Sequence, residues 1–269
     1  MKKTSLFVFL FVSVVSLYAQ DALEGIIVEK YYVSTKKDNA KKNLSGELAV
    51  GSTTYRIYVD MAPGCRFMAA YGSPGHPLEI SSTENIYNHL DIGAEHPLRI
   101  PERSYKKNIV PLDSWITIGP AGESYLGVLK DADTLQDFGN VAPFEKGFLL
   151  SDKKEMGYSL QVRDGFLRSE QIPQITLYNI DTSLNVLRME TKGKSFRVEN
   201  GAWACMGRGV SGADSLGSNA ILIAQITTKG ELRYELNLML RNADGSVTKY
   251  VAKDPIESEV LHKSLISNK

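Results

Sequence analysis

Alternation of apolar and polar side chains is the feature that most constrains how this chain can fold. In TTYRIYVDM, residues 53–61, every second side chain from Tyr55 onward is aromatic or aliphatic. In ELRYELNLML, residues 231–240, leucine and tyrosine repeat with the same period of two. This period is that of a β-strand, whereas a helix would scatter these residues around its axis. We therefore expect strands that bury one face and expose the polar face, which includes Arg56 and Tyr58.

Strand patterns occur along most of the sequence and are separated by glycine- and proline-rich turns. They cover GIIVEKYYVST (25–35), CRFMAAYG (65–72), PLEIS (77–81) and DSWITIG (113–119). Many short strands with few helical signals are typical of an antiparallel sandwich. The sequence thus predicts an all-β fold, an antiparallel β-sandwich of the jelly-roll or Ig-like type with few short helices.

The segment 219–253 has the clearest hairpin signals. It predicts three strands joined by turns at Lys229-Gly230 and Asp244-Gly245. The following tail, with Pro255 near its start, predicts a short helix or a frayed end.

The domain prediction begins with a signal peptide at residues 1–19, where Lys2 and Lys3 precede an apolar run. A β-sandwich domain follows at 20–255, and residues 256–269 form a C-terminal tail. The irregular stretch 130–172 predicts an insertion or a junction, and two small β domains split near 140–170 are the alternative. The expected location is periplasmic or extracellular, with no transmembrane segment in the mature chain.

The charge balance bears on the class of partner. Without Lys2 and Lys3 the chain has 29 basic and 31 acidic residues, a net charge of −2. Nucleic-acid binding needs a concentrated basic face, so no nucleic-acid partner is expected.

Cys65 and Cys205 are the two cysteines of the chain. In an oxidising compartment an even pair predicts a disulfide, and two buried free thiols are the competing interpretation. A reactive pair of Cys65 with His76 is disfavoured, because a strand of about 3.3 Å per residue separates them.

Two segments suggest metal ligands. NHLDIGAEHP (88–97) contains His89, Asp91 and His96, but it matches no established ligand spacing, and an exposed polar loop explains it equally well. KDADTLQD (130–137) contains Asp131 and Asp133, which would suit calcium without completing a known calcium loop.

No catalytic residue and no cofactor site are predicted. GRGVSG (207–212) satisfies the spacing of a dinucleotide-binding loop, but a strand rather than a helix follows it. The aromatic side chains offer a binding face instead, for which Tyr58, Tyr71 and Tyr87 are the candidates. Trp115 and Trp203 lie in apolar strands and are expected in the core.

Six sequence blocks follow one another along the chain: LEGIIVEKYYVS, TYRIYVDMAPG, AAYGSPGHPLEI, LDSWITIG, NGAWACMG and ILIAQITTKGELRYELNL. In these blocks and their order, over about 23–253, the chain resembles a family of exported, β-rich proteins found mainly in Bacteroidota. The resemblance implies export and a β fold, and it implies no reaction, ligand or active site.

The functional prediction is an exported, non-enzymatic binding or surface/matrix interaction protein with a glycan or protein ligand. The alternative is an extracytoplasmic carbohydrate-active hydrolase, because two carboxylates 5 to 9 Å apart, about the spacing glycoside hydrolysis needs, can come from distant strands.

Overall fold

The computed structural model describes residues 21–39, 48–106, 109–122, 125–129, 165–168, 174–189, 191–212 and 219–267. The predicted signal peptide, Asp131, Asp133 and most of the stretch 130–172 lie outside these ranges.

Strands predominate among the described residues. They are β1 (Leu23–Val33), β2 (Thr53–Met61), β3 (Arg66–Gly72), β4 (Leu78–Ser82), β5 (Trp115–Ile116), β6 (Pro120–Gly122), β7 (Tyr125–Gly127), β8 (Phe166–Arg168), β9 (Ile175–Tyr178), β10 (Ser195–Val198), β11 (Gly201–Cys205), β12 (Asn219–Thr228), β13 (Leu232–Glu235), β14 (Leu238–Arg241), β15 (Val247–Val251) and β16 (Glu259–Leu261).

Among the described residues, helical structure is confined to short segments. The α-helix α1 spans Asp181–Leu184, and 3₁₀ turns span Lys36–Asn39, Pro97–Arg99, Glu102–Lys106, Val110–Leu112, Asn185–Leu187 and Lys263–Leu265.

The strands form four sheets. The central sheet has the order β1-β2-β12-β5 and is antiparallel throughout. A second layer consists of a six-stranded sheet, β16-β15-β14-β3-β11-β9, and a three-stranded sheet, β10-β4-β13. A small sheet, β6-β7-β8, completes the set. This arrangement confirms the predicted all-β, sandwich-like fold.

The main core lies between the central sheet and the second layer. The apolar side chains of alternating positions meet there, including Ile57 and Val59 from β2, Phe67 from β3 and Trp203 from β11. Trp203 is fully buried, and its indole Nε1 donates to Thr117 O at 3.2 Å. Trp115 is also fully buried, so the structure confirms both tryptophans as core residues.

The other face of the central sheet is also buried, contrary to the expectation of a solvent-facing polar side. Arg56 is 0% exposed, Tyr58 is 1% exposed and Glu29 is 0% exposed. A second apolar cluster covers them, with Tyr58 and Leu222 from the sheet and Tyr105 and Phe166 from the covering segments. Alternation predicted which side chains share a face, but it did not predict that both faces would be covered.

The predicted hairpin at Lys229-Gly230 is wrong. Strand β12 pairs with β2 on one side and β5 on the other, so neither edge remains for β13. The chain crosses instead to the second layer, where β13 pairs with β4. The hairpin at Asp244-Gly245 is confirmed, since β14 pairs with β15 and Gly245 N donates to Asn242 O at 2.9 Å.

The segment predicted as one strand, 231–240, is two strands in two sheets. The break is at Leu236 and Asn237, where the Asn237 side chain donates to Tyr71 O at 3.2 Å and to His76 O at 2.8 Å. The period of two continues through the break, because Tyr234, Leu236 and Leu238 all remain buried in the main core.

In its described part, residues 256–267, the tail is paired with the sheets and is not frayed or mainly helical. Strand β16 pairs in parallel with β15, and Ile266 forms a bridge with Glu235. A single 3₁₀ turn lies between these two contacts.

Candidate functional site

A row of four side chains crosses the covered face of the central sheet. Glu29 on β1 lies opposite Arg56 on β2, Arg56 lies opposite Gln225 on β12, and Gln225 lies opposite Trp115 on β5. Arg56 Nε donates to Gln225 Oε1 at 2.9 Å, and Tyr58 OH donates to Glu29 Oε2 at 3.1 Å. These residues come from four separate parts of the sequence, and only strand pairing brings them together.

The Arg56 guanidinium is enclosed by aromatic rings. Its Cζ lies 3.6 Å from the centroid of Tyr31 and 4.4 Å from that of Phe166, and its Nη1 donates to Gly165 O at 3.0 Å. Burial disfavours the charge, but Tyr31, Tyr58 and Glu29 outweigh it and raise the pKa of Arg56. The row therefore holds a charged group away from solvent, which suits a structural role better than ligand binding.

The loop 88–94 is organised by a buried carboxylate. Asp113 Oδ1 accepts from His89 N at 2.7 Å, and Asp113 Oδ2 accepts from Ala94 N at 2.8 Å. Burial raises the pKa of Asp113 to about 8, and backbone donors oppose that rise. Gly93 is required for this approach, because a Cβ there would lie 2.5 Å from His89 O.

The two histidines of the metal candidate hold backbone groups. His89 Nδ1 accepts from Asp91 N at 3.2 Å, and His96 Nδ1 accepts from Leu98 N at 3.1 Å at the start of a 3₁₀ turn. A neutral imidazole has one acceptor nitrogen, and in both rings it is already engaged. Burial, followed by the charge of Arg99, lowers the pKa of His96 to about 4.

Among the described residues, no group of three or more His, Cys, Asp or Glu side chains is arranged to hold a metal ion. Asp91 is exposed, whereas His89 and His96 are buried. Calcium binding by Asp131 and Asp133 stays a prediction, because both residues lie outside the described part.

The two cysteines are buried and are not bonded to each other, which agrees with the alternative of two buried free thiols and not with a disulfide. Burial raises the pKa of both thiols, which keeps them protonated and disfavours reactivity. His76 does not contact Cys65 but pairs with Glu259, at 3.2 Å between Nε2 and Oε2.

A cavity of about 410 Å³ opens where the central sheet meets the second layer. Its lining has a buried inner part and an exposed polar rim. The buried inner part comprises Leu48, Ser52, Ile86, Asn88 and Thr228. The exposed rim comprises Ala49, Glu84, Asn85, Lys192 and Lys229. Three half-buried residues, Tyr87, Leu90 and Thr191, lie between the two parts.

Hydrogen bonds between distant segments fix the walls of this cavity. Tyr87 N donates to Thr227 O at 2.8 Å, and Thr228 Oγ1 donates to Asn85 O at 3.1 Å. Asn88 Nδ2 donates to Val186 O at 2.7 Å and to Thr191 O at 3.1 Å. A cavity held in this way needs little reorganisation before it binds a ligand.

The three tyrosines proposed as a binding face do not share one surface. Tyr58 is buried beneath the cover of the central sheet, which contradicts its assignment to an exposed face. Tyr71 is half-buried on β3, and burial, followed by the charge of Glu259, raises its pKa to about 12. Tyr87 is half-buried and lines the cavity.

Sequence reasoning missed the remaining cavity residues, since their segments read as ordinary turns and strand ends. The stretches around Leu48, Asn85, Thr191 and Thr228 have no shared motif.

Comparison of the chain with protein-family models, with curated proteins and with solved structures finds no match. In the described part of the chain, no helix has the length and apolar character needed to cross a bilayer. The contacts of the chain itself are therefore the basis for a functional proposal.

Proposed function

We propose that the protein is an exported, non-enzymatic binding module whose cavity between the central sheet and the second layer takes a glycan. The observation that supports the proposal is the composition of the lining. A tyrosine ring and aliphatic side chains suit the apolar faces of a sugar. The amide and ammonium groups on the rim, and the serine and threonine hydroxyls further in, suit its hydroxyls.

The same lining favours binding over hydrolysis. Glu84 is the single carboxylate among the described residues that line the cavity, and it lies on the exposed rim. Glycoside hydrolysis generally uses two carboxylates on either side of the scissile bond. Export is proposed from the apolar, lysine-preceded start of the sequence.

The test uses a glycan array with the chain lacking residues 1–19, followed by titration of the best ligand. Ala49 lines the cavity at its exposed rim, so Ala49→Trp should obstruct the entrance without removing a side-chain hydrogen bond. We expect this variant to bind about tenfold more weakly or worse, since lost burial of one sugar face exceeds about 1.4 kcal/mol.

Val50→Trp is the matched control, because Val50 is the next residue, is 46% exposed and is not part of the lining. It should bind as the unmodified chain does. Equal affinity of all three proteins, or binding of peptides alone, would overturn the proposal. Release of new reducing ends from the bound glycan would favour the hydrolase instead.

A further inference from the structure

Three arginines surround a second recess, of about 350 Å³, at the end of the six-stranded sheet. Arg66 begins β3, Arg241 ends β14, and Arg208 lies in the loop after β11. The remaining lining residues are Gly64, Asn242, Ala243, Asp244 and Gly245. This recess is separate from the proposed glycan cavity, with which it shares no lining residue.

Two of the three positive charges face each other directly. Arg66 and Arg241 are partners in the antiparallel register of β3 and β14. Like charges at directly opposite positions of neighbouring strands are destabilising. A sheet that needed only solvent-exposed polar groups at these positions would not require two arginines.

Backbone geometry brings the third arginine to the same place. Val210 forms a bridge with Phe67, and Gly209, at φ +72°, lies so close to β3 that a Cβ would be 2.7 Å from Phe67 O. Arg66 Nη1 donates to Gly209 O at 3.4 Å. The loop is thereby fastened across the start of β3, next to Arg66.

Two other exposed arginines of the protein have acidic partners. Arg197 pairs with Glu79 at 2.9 Å and with Glu199 at 2.7 Å, and Arg233 pairs with Glu231 at 3.6 Å. Within the described ranges, none of the three arginines of the recess forms an ion pair with a carboxylate of the protein.

One carboxylate does line the recess, and it is engaged within its own turn. Asp244 Oδ1 accepts from Ser246 N at 2.8 Å and from Ser246 Oγ at 2.6 Å. These hydrogen bonds lower the pKa of Asp244, so the carboxylate is ionised. Three guanidinium groups and one carboxylate leave two positive charges in the recess, which matches a doubly charged anion.

We propose that Arg66, Arg208 and Arg241 form a binding site for a doubly charged oxyanion group, phosphate or sulfate. The planar guanidinium fork donates two parallel hydrogen bonds to such a group, and three forks can approach it from three sides. A bound dianion also relieves the repulsion between Arg66 and Arg241. The group can be a free phosphate or sulfate ion, or a phosphate monoester on a larger molecule, which carries about two negative charges at pH 7.

The test measures the binding of inorganic phosphate and of sulfate by calorimetry at low ionic strength, with chloride at equal ionic strength as reference. The variant is the double substitution Arg66→Gln and Arg241→Gln, and the control is Arg197→Gln, an exposed arginine that already has acidic partners. We expect the double variant to bind at least about tenfold more weakly, since each charge-assisted hydrogen bond lost exceeds about 1.4 kcal/mol. The control should bind as the unmodified chain does.

Thermal unfolding without phosphate or sulfate separates ligand binding from a structural role. The double variant should be as stable as the unmodified protein or more so, because relief of the repulsion between two like charges offsets the loss of the single exposed 3.4 Å hydrogen bond from Arg66 to Gly209 O. Phosphate should raise the midpoint of the unmodified chain and of Arg197→Gln, but not that of the double variant. Equal responses of all three proteins, or a double variant that is less stable without the anion, would overturn the proposal.

A second arm distinguishes the sources of the oxyanion. Phosphorylated dextran and unmodified dextran are compared as polymers that differ only in the phosphate monoester. Tighter binding of phosphorylated dextran than of free phosphate, lost in the double variant, assigns the site to an esterified polymer. Equal affinity per phosphate group assigns it to the free ion. Because the lining of this recess excludes Ala49, the Ala49→Trp variant should retain oxyanion binding whether or not the glycan proposal holds.

Discussion

The two faces of the central sheet are both buried, but they are buried by different means. On the face toward the second layer, aliphatic and aromatic side chains such as Ile57 and Val59 form the main apolar cluster. On the opposite face, Glu29, Arg56 and Gln225 form a polar row under a cover of loops and short strands. The first face is stabilised by removal of apolar surface from water. The second depends on hydrogen bonds and ring contacts between the polar groups and their cover, although Arg56 Nη2 and Trp115 Nε1 are buried there without a hydrogen-bond partner among the described residues.

This difference shows what the alternation of apolar and polar residues means in a sheet that is covered on both faces. A polar side chain at an alternating position lies on the face away from the main core, but it is not necessarily exposed to solvent. The cover supplies the partners: Gly165 and Phe166 contact Arg56, while Pro111 O and Asp113 O accept from Gln225 Nε2 at 2.9 and 2.7 Å. A buried polar group without such partners is costly, so the two faces should respond differently to substitution.

The largest expected effect is that of Arg56→Ala. The substitution removes the side chain that donates hydrogen bonds to Gln225 Oε1 and Gly165 O. It also removes the positive charge opposite Glu29, and all these groups are buried. We expect a loss of about 3 to 5 kcal/mol in the free energy of unfolding, the range for breaking a buried charged pair. Denaturant titration measures it.

The matched change on the apolar face is Ile57→Val, which removes one methylene from the next residue of the same strand. It should cost about 1 kcal/mol. If Arg56→Ala proved no more costly than Ile57→Val, the polar row would not be a structural element and the comparison of the faces would fail.

The next effect is the dependence of the free energy of unfolding on pH, which we expect to arise from His96 in the covering segment. Its pKa is lowered to about 4, against about 6.5 in an unfolded chain, so the folded state favours the neutral ring. The stabilisation is fully present above pH ~6.5 and is lost as the pH falls toward ~4, by up to about 3 kcal/mol. In His96→Asn, where the amide oxygen can still accept from Leu98 N, this loss should disappear.

Unfolding curves between pH 7 and pH 4 for the two proteins measure the difference. Asp113 acts with the opposite sign, because its raised pKa of about 8 makes acidification favourable to the folded state. Its contribution is common to both proteins and cancels in the comparison. Identical acid dependence of the two proteins would contradict the assignment to His96.

The smallest expected effect is that of removing a single hydroxyl oxygen from each face of the central sheet. Tyr58→Phe removes the hydroxyl that donates to Glu29 on the polar face and should cost about 1 to 2 kcal/mol. Tyr234→Phe makes the same change in the main core, where the structure records no hydrogen bond for that hydroxyl among the described residues, and should change stability by less than about 0.5 kcal/mol. Equal costs in chemical denaturation would show that the hydroxyl of Tyr58 has no special partner.

The local sequence pattern predicted individual strands well, and it predicted pairing well where two strands consecutive in sequence form a hairpin. Strand β2 has the bounds expected from its alternation, and the Asp244-Gly245 turn joins β14 to β15 as predicted. The same reasoning failed at Lys229-Gly230, because a turn signal states that the chain reverses and not which strand it meets next. Both edges of β12 were already occupied by distant segments.

The candidate sites were less predictable than the strands. Tyr87 was predicted as a candidate for a binding face, and it lines the cavity, but Tyr58 from the same prediction is buried. The three arginines of the oxyanion recess lie in three unrelated stretches, and nothing in their sequence context relates them. Register between β3 and β14 is what sets Arg66 opposite Arg241.

The sequence by itself determined the strands and the sides of each strand, because the direction of successive side chains is a local property of an extended backbone. The tertiary structure alone decided which polar faces are covered, which strands pair and which charges meet. Those outcomes depend on contacts between residues as far apart in sequence as Arg56 and Gln225. Such contacts do not produce a periodic pattern in the sequence. The buried polar row and the cluster of arginines both belong to this second group.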